Sequence, residues 1–212
     1  MGRKRTLTRS GGPSMNLSMF ETQPAARADM KAGALYAIAG EGDWVYYGQV
    51  TPEKMIGFIK FRSRRPEDPQ AVLSCPIMSV VSVGYPSIGR ALRSGRWNKL
   101  GRFPVVAGLD EPRSMVQWPV FTHTVTVWTD GVPSYDTQAD DPSIQDLELI
   151  AAWDAEYHIP GRLTADFGVE PAQWHVGGPV RRERQIREER ARRGPDQPGH
   201  RLPADWVSTS VR

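Results

Sequence analysis

Three short hydrophobic runs separated by turn residues constrain the fold more than any other feature of this sequence. The runs Leu35–Ala39 and Trp44–Val50 flank Gly40–Asp43, and a third run, Ile56–Phe61, follows Thr51–Lys54. Tyrosine, valine, isoleucine, phenylalanine and tryptophan fit the pleated, half-buried surface of a sheet, whereas glycine and aspartate adopt the backbone angles that reverse a strand. The pattern therefore predicts a three-stranded antiparallel meander as the nucleus of a β-rich domain.

Further strands are predicted downstream of this meander. The run Ala71–Gly84 is interpreted as one buried strand, or as two strands broken near Pro76, because proline cannot donate to a ladder. Residues Trp97–Val106 are predicted to form another strand. In Val116–Thr129 hydrophobic residues alternate with threonines, which predicts a half-buried strand that ends in an Asp130-Gly131 turn.

Helical spacing is clearest in Pro142–Glu156. Ser143 can cap its start, and Asp146 takes the place of the acidic partner in a capping box. The expected core stripe consists of Leu147, Ile150 and Ala151. Arg181–Arg193 has helical propensity but is polar on nearly all sides, so a solvated helical extension is expected there.

The distribution of apolar residues divides the chain into three parts. Residues 1–30 are polar and basic, and we expect a disordered tail because they cannot bury enough apolar surface to offset ordering. Residues 31–178 are expected to form a single β-rich globular domain, and residues 179–212 a charged helix and a flexible tail. The predicted fold class is α+β: mainly an antiparallel β-sheet or a small, partly open barrel, with one packed helix and disordered termini.

Location can also be predicted from composition. No apolar run approaches the roughly 18 residues that a membrane-spanning helix needs. The basic N-terminus is not followed by the apolar segment of a secretory signal. The single cysteine, Cys75, excludes an intramolecular disulfide and fits a reducing compartment. A cytoplasmic protein without membrane contact is therefore expected.

Charge is distributed unevenly along the chain. Residues 130–170 contain ten Asp or Glu against Arg162 alone, whereas residues 54–113 contain eleven Lys or Arg against four acids. Such an asymmetry steers partners without specifying a fold. The acidic residues are interpreted either as a solvated loop with a helix cap or as a patch that faces a partner.

Candidate partner-binding residues come from this acidic region and from the meander. Trp44 and Tyr46 share one face of the second predicted strand and Tyr47 lies on the other, and exposed aromatic rings are enriched at protein interfaces. The candidate set is Trp44, Tyr46, Asp136, Asp140, Asp141, Asp146 and Glu148.

No catalytic motif stands out. Cys75 lies in an apolar run and is expected to be an inert buried thiol. His123 falls on the apolar face of its predicted strand and is expected to be a core histidine, with a hydrolase built on His123 and the acidic loop as the weaker alternative. His158 and His175 lack a His-Glu-x-x-His or Cys-x-x-Cys partner, so neither a metal nor a cofactor is expected.

The basic segment 89–102 supports a different alternative. It contains one aromatic residue among cations of the kind that contact phosphates, so a nucleic-acid-binding β-barrel is the second hypothesis. The overlapping run Ile88–Trp97 has apolar helical spacing, but Gly89 and Gly95 favour a loop. The candidate phosphate-binding residues are Arg90, Arg93, Arg96, Lys99 and Arg102.

The meander resembles the immunity protein 26 family of bacterial polymorphic-toxin systems. The resemblance is carried by Leu35-Tyr-Ala-Ile, Tyr46-Tyr-Gly-Gln-Val and Ile56-Gly-Phe, within Gly33–Phe61. Where the family has a Phe-Ala-Ile-Pro type strand this chain has Ala39 in place of proline, and Gln49 replaces a Gly-Arg pair. The resemblance implies a small intracellular protein that binds and neutralises a cognate toxin, and it carries no catalytic residue to this chain.

The first hypothesis is therefore a non-enzymatic immunity protein whose partner is a toxin domain. An acidic stretch suits a protein that occludes a basic site, such as the cleft of a nuclease.

Overall fold

A computed structural model describes residues 18–168, 170, 172 and 176–209. Residues 1–17 of the expected disordered tail lie outside this part of the chain. The strands of the described part are β1 (Ala34–Ala39), β2 (Val45–Val50), β3 (Ile56–Ser63), β4 (Ile77–Val83), β5 (Trp97–Arg102), β6 (Met115–Gln117), β7 (Thr124–Thr129), β8 (Val132–Gln138), β9 (Glu148–Leu149) and β10 (Ala152–Trp153). Its α-helices are α1 (Pro69–Leu73), α2 (Tyr85–Arg93), α3 (Ile159–Phe167) and α4 (Val180–Arg193). The predicted α+β class with a mainly antiparallel sheet is confirmed.

The larger sheet contains the predicted meander. Its strand order is β10-β4-β3-β2-β1-β5, with antiparallel pairs except between β4 and β10. Ala37 pairs with Tyr47 and Ile38 with Tyr46 across the turn that Gly40–Asp43 makes. These pairings confirm the prediction of three consecutive antiparallel strands. The prediction could be made from sequence because each strand pairs with its neighbour along the chain.

Both faces of this sheet are covered. On one face Tyr36, Tyr46 and Trp97 are buried against α2 and α3. On the other face Tyr47 and Ile59 pack against Val72 of α1. The strands are therefore more deeply buried than the predicted half-buried meander.

The smaller sheet has the strand order β8-β7-β6-β9. Its core is formed by Val116, Val125, Val127, Ala139, Ile144 and Val180. The prediction of one strand over Val116–Thr129 is wrong, because β6 and β7 are antiparallel partners joined by a turn. Within that turn Pro119 cannot continue a ladder and Phe121 has a φ of 63°, which reverses the chain. The predicted Asp130-Gly131 turn is confirmed, with Gly131 at a φ of 73° between β7 and β8.

The predicted helix over Pro142–Glu156 is wrong. Only a single 3-10 turn forms, Pro142–Ile144, and β9 and β10 follow it. β9 pairs with β6 of the smaller sheet and β10 with β4 of the larger sheet, both in parallel. These long-range pairings outweigh the local helical spacing, and the short segment between them ties the two sheets together.

Two further predictions need correction. The break near Pro76 is confirmed, but the residues before it form α1, which Asp68 caps by accepting a hydrogen bond from the Ala71 amide at 3.2 Å. The loop favoured over Ile88–Trp97 is instead mostly helix α2. Its buried residues Ile88, Ala91 and Leu92 pack on the larger sheet, and this burial outweighs the cost of the glycine inside the helix.

The segments flanking the domain pack onto it. The Met19 and Phe20 amides donate to the Gly95 carbonyl at 3.1 and 2.9 Å, so the predicted disorder does not hold for residues 18–30. Helix α4 confirms the helix predicted over Arg181–Arg193. It is docked rather than solvated, since Arg184 and Ile186 are buried. None of the helices in the described residues has both the length and the apolar character needed to cross a membrane.

Candidate functional site

The acidic candidates separate into internal and exposed carboxylates. Glu148 is internal: its two oxygens accept hydrogen bonds from Arg162 at 2.7 and 2.6 Å, and the Arg162 residue is only 1% exposed. Burial raises the pKa of Glu148, and Arg162 opposes that rise. Since its carboxylate already holds a buried cation, the prediction that Glu148 binds a partner is not supported by its position.

Glu148 belongs to a network of four charges at the joint between the sheets. Arg162 also donates to Asp166 at 2.7 Å, and Asp166 accepts from Arg182 at 2.6 Å and from the Ser79 hydroxyl at 2.8 Å. These side chains line a cleft of about 560 Å³ between β4, β6 and the two helices α3 and α4. Two cations and two anions neutralise one another, so the network fits a structural clamp between the sheets.

Asp140 is engaged with His123. The His123 Nε2 and Asp140 Oδ1 atoms lie 3.0 Å apart, and His123 is 4% exposed, as predicted for a core histidine. Burial alone would raise the pKa of Asp140, but the hydrogen bond with His123 and the charge of Arg184 together lower it. The Trp206 ring covers the edge of the imidazole with a centroid distance of 5.5 Å. Among the described residues no serine, threonine or cysteine side chain hydrogen-bonds to this histidine.

Three acidic candidates remain on the surface. Asp141 caps the 3-10 turn through the Ser143 amide at 2.8 Å, and its hydrogen bonds with Thr137 and Ser143 lower its pKa. Asp146 forms an exposed ion pair with Arg181. Asp136, on β8, accepts a hydrogen bond from the Thr126 hydroxyl at 2.6 Å and is otherwise open to solvent.

The two aromatic candidates of the meander are covered. Tyr46 is fully buried, so the prediction that it faces a partner is wrong; its ring packs edge-on against Phe167. The Trp44 ring lies between the guanidinium groups of Arg62 and Arg64, at 3.8 and 3.6 Å. These cation–π contacts cover both faces of the indole and make it part of a stacked surface rather than a free aromatic.

An exposed aromatic group does occur, on the hairpin that β7 and β8 form. Nine large hydrophobic residues are exposed in the described part of the chain, and five of them lie between residues 120 and 135. On the hairpin itself these are Trp128, Val132 and Tyr135, which are 45%, 59% and 53% exposed. Such clustering is typical of a surface that binds another molecule.

Contacts across the sheet place part of this group on one outward face. Trp128 Nε1 donates to Gln117 Oε1 at 3.1 Å, and Gln117 pairs with Thr126, which in turn bonds Asp136. We use the name hairpin face for this surface together with the hairpin end: Gln117, Thr126, Trp128, Asp130, Val132 and Asp136. Tyr135 pairs with the inward Val127 and lies on the opposite face of β8. The inward residues of β7, Val125 and Val127, are buried, so the hairpin face has a packed core beneath it.

The sequence contained one signal for this surface. In the alternation of β7, Trp128 falls on the face of the polar threonines, and an aromatic residue in that position points to solvent unless something covers it. The face is also acidic, because no lysine or arginine occurs between residues 114 and 161. Of the predicted acidic candidates, Asp136 alone belongs to it.

The basic segment is largely paired with acids. Arg90 forms ion pairs with Asp154 and Glu156, and Lys99 and Arg102 both bind Asp29. The two remaining cations donate to backbone carbonyls: Arg93 to Ala26 at 3.3 Å and Arg96 to Glu156 at 3.4 Å. A phosphate would have to displace these partners.

Other predicted groups lie apart from the hairpin face. Cys75 is partly buried, and its thiol lies 3.6 Å from the Ala71 carbonyl. His158 packs edge-on against Trp153, and His175 lies outside the described residues. No group of three or more His, Cys, Asp or Glu in the described part of the chain is arranged to hold a metal ion.

Comparison with protein-family models, with curated proteins and with solved structures finds no match to this chain.

Proposed function

We propose that this chain is an immunity protein that binds a cognate bacterial toxin through its hairpin face and neutralises it without catalysis. The observation that carries the proposal is the concentration of exposed aromatic and acidic side chains on the β7–β8 hairpin. Trp128 and Val132 supply apolar area of the kind found at the centre of protein interfaces, and Asp130 and Asp136 supply charge beside it.

The charge of the hairpin face favours a basic partner. Complementary charges speed encounter and exclude partners of the wrong sign, whereas aromatic anchors provide most of the affinity. A toxin that binds nucleic acid presents a basic cleft, and an acidic cover over that cleft blocks its substrate. The partner class thus agrees with the resemblance of the meander to immunity proteins.

The position of the hairpin separates binding from folding. The meander that resembles the immunity family is buried on both faces and supports the fold. The hairpin face lies on the second sheet, at a distance in sequence from the meander. Substitutions on the outward side chains of β7 and β8 are therefore expected to change binding while leaving the larger sheet intact.

The test is the affinity for a candidate toxin domain, taken as the variable C-terminal domain of a large secreted protein where a neighbouring gene encodes one. Replacing Trp128→Ser together with Asp136→Lys is expected to weaken the complex about 30-fold or more, since a central aromatic anchor contributes at least about 2 kcal/mol. The matched control is Glu67→Lys, the same charge change on an exposed loop of the larger sheet. The affinity of this control for the toxin domain should stay within about twofold of that of the unmodified chain, because a surface charge outside the interface contributes little to binding.

Two results would count against the proposal. An unchanged affinity of the double variant would remove the hairpin face as the binding surface. A chromosomal neighbour that encodes no secreted protein with a variable C-terminal domain would remove the toxin as the partner.

A further inference from the structure

Strand β8 forms an open edge of the smaller sheet. It pairs with β7 on one side, and among the described strands none pairs with its other side. Six of its seven residues are exposed, all except Thr137, which is partly buried. Proteins usually protect such edges with lysine, proline or bulges. In β8 these features occur only near its start, as Pro133 and a register shift at Pro133 and Ser134, and Tyr135–Gln138 follow without them.

The ladder shows which backbone groups of β8 face this edge. The Ala139 amide donates to the His123 carbonyl at 2.7 Å, so these two residues form a hydrogen-bonded pair. Hydrogen-bonded and non-hydrogen-bonded pairs alternate in an antiparallel ladder. With the observed register, the pair formed by Val125 and Thr137 is therefore hydrogen-bonded, and the pair formed by Thr126 and Asp136 is not.

Asp136 consequently directs its backbone N–H and C=O away from β7. The side chains agree with this assignment, because non-hydrogen-bonded pairs bring side chains closer and the Thr126 hydroxyl lies 2.6 Å from the Asp136 carboxylate. The donor and acceptor of Asp136 thus point to the open edge. They are available to an added strand without any loss of bonds to β7.

The chemistry at the edge selects a basic strand. The Asp136 carboxylate lies on the outward face of β8, the Asp130 carboxylate lies at the hairpin end, and Tyr135 presents its ring on the opposite face. A second copy of this chain fits less well, because antiparallel pairing of β8 with itself across Asp136 brings two carboxylates of equal sign together. An extended segment that alternates cations with apolar residues matches both faces.

We infer that β8 accepts an extended, lysine- or arginine-rich segment of the partner as an additional strand of the smaller sheet. This inference depends on the proposed function, since it describes how the partner binds. Main-chain hydrogen bonds at Asp136 then provide affinity, and the carboxylates with the Tyr135 ring provide specificity.

The probe is a labelled ten-residue peptide of alternating lysine and valine, and its binding to the full chain is measured by fluorescence anisotropy at low salt. Two variants separate charge from backbone pairing. Asp136→Asn removes the charge and keeps the outward N–H, whereas Asp136→Pro removes both. We expect a loss of a few-fold for Asp136→Asn and a further loss of about tenfold for Asp136→Pro. Circular dichroism checks that each variant remains folded.

A second measurement leaves the protein unchanged. The same peptide, N-methylated at alternate residues, cannot pair along one of its edges and is expected to bind at least about tenfold more weakly. Equal losses for Asp136→Asn and Asp136→Pro, or equal binding of the methylated peptide, would overturn strand addition and leave binding by charge alone. Failure of the unmodified peptide to bind would overturn it as well.

Sedimentation velocity tests whether a second copy of this chain, rather than a partner segment, pairs with the open edge of β8. A dimer of the free chain that Asp136→Pro abolishes would assign the edge to a second copy and overturn the inference. The toxin-binding measurement with Trp128→Ser and Asp136→Lys does not depend on any of these results, so the proposed function and strand addition can fail separately.

Discussion

At the scale of single residues, Arg162 shows how a charge can be held inside this protein. Its guanidinium donates to Glu148 and Asp166, and Asp166 is bound in turn by Arg182. A buried ion pair is not by itself a large source of stability, because desolvation offsets most of the attraction. Removing one member is costly, however, since the remaining charges stay buried without a partner.

Replacing Arg162→Met should therefore destabilise the protein by about 3–5 kcal/mol, because Glu148 and Asp166 would lose their buried cation. Urea unfolding measures this change. Arg181→Met is the matched control, since Arg181 pairs with Asp146 at the surface, where the two side chains are 58% and 84% exposed. Its effect should stay within about 1 kcal/mol. Equal effects of the two variants would show that the clamp does not join the sheets.

A second prediction at this scale concerns Asp29. The hydrogen bond from Lys99 is the largest cause that lowers its pKa, to about 2 from 3.8, and Lys31 and Arg102 add to it. A carboxyl with a lowered pKa stabilises the folded state above pH 3.8, and this contribution disappears as the pH falls through about 2. Unfolding measured from pH 5 down to pH 2 should therefore be less pH-dependent in Asp29→Asn. An unchanged pH profile would contradict the pairing of the N-terminal segment with β5.

At the scale of elements, local patterns were predictable and distant pairings were not. The meander follows from three neighbouring runs and their turns, and the sequence is enough to find it. The segment Glu148–Trp153 has the spacing of a helix, yet it forms β9 and β10 because β6 and β4 offer ladders that only the folded chain brings near. The docking of α4 depends in the same way on Trp118 and Trp206, which are far apart in sequence.

The site was predictable to the same extent. The acidic residues are visible as a block of sequence, and the period of β7 places Trp128 on its polar face. Whether a carboxylate is free or paired depends on cations elsewhere in the chain, such as Arg162 for Glu148. For that reason Glu148 and Asp140 could not be separated from Asp136 by sequence alone.

The C-terminal tail offers a test at the element scale. The Trp206 ring stacks on Trp118 with a centroid distance of 5.8 Å, and its Nε1 donates to Glu188 at 3.0 Å. Loss of this stack and hydrogen bond in Trp206→Ala should lower stability by about 1–2 kcal/mol and speed amide hydrogen exchange in α4. Val207→Ala, at a residue 48% exposed, is the control and should change little. Unaltered exchange in α4 would mean that the tail does not hold the helix.

At the scale of the whole molecule, charge is organised by internal pairing as well as by sequence blocks. The basic segment 89–102 and the acidic region face one another in part, since Arg90 binds Asp154 and Glu156. The hairpin face is left with the acids Asp130 and Asp136 and with Trp128, and its stretch of sequence contains no lysine or arginine. A net charge of +3 therefore does not describe the surface that a partner meets.

This pairing predicts weak binding to nucleic acid. A protein that contacts several phosphates loses affinity steeply as salt rises, so a titration of double-stranded DNA between 50 and 200 mM salt should detect such contacts. We expect no steep dependence, because four of the five cations in the segment contact acids or their backbone and the fifth binds a carbonyl. Tight binding with a steep salt slope that Arg90→Gln and Lys99→Gln reduce would favour the nucleic-acid alternative.

The most direct measurement of the proposed function is the stoichiometry with which this protein neutralises a toxin domain. Toxin activity should fall in proportion to added protein and reach zero at one equivalent, because in the proposed complex each molecule blocks one toxin and does not turn over. The Trp128→Ser and Asp136→Lys variant should require a large excess, whereas Glu67→Lys should behave as the unmodified chain does. Complete neutralisation by a small fraction of an equivalent would indicate catalysis, and full toxin activity at several equivalents would rule out a neutralising complex.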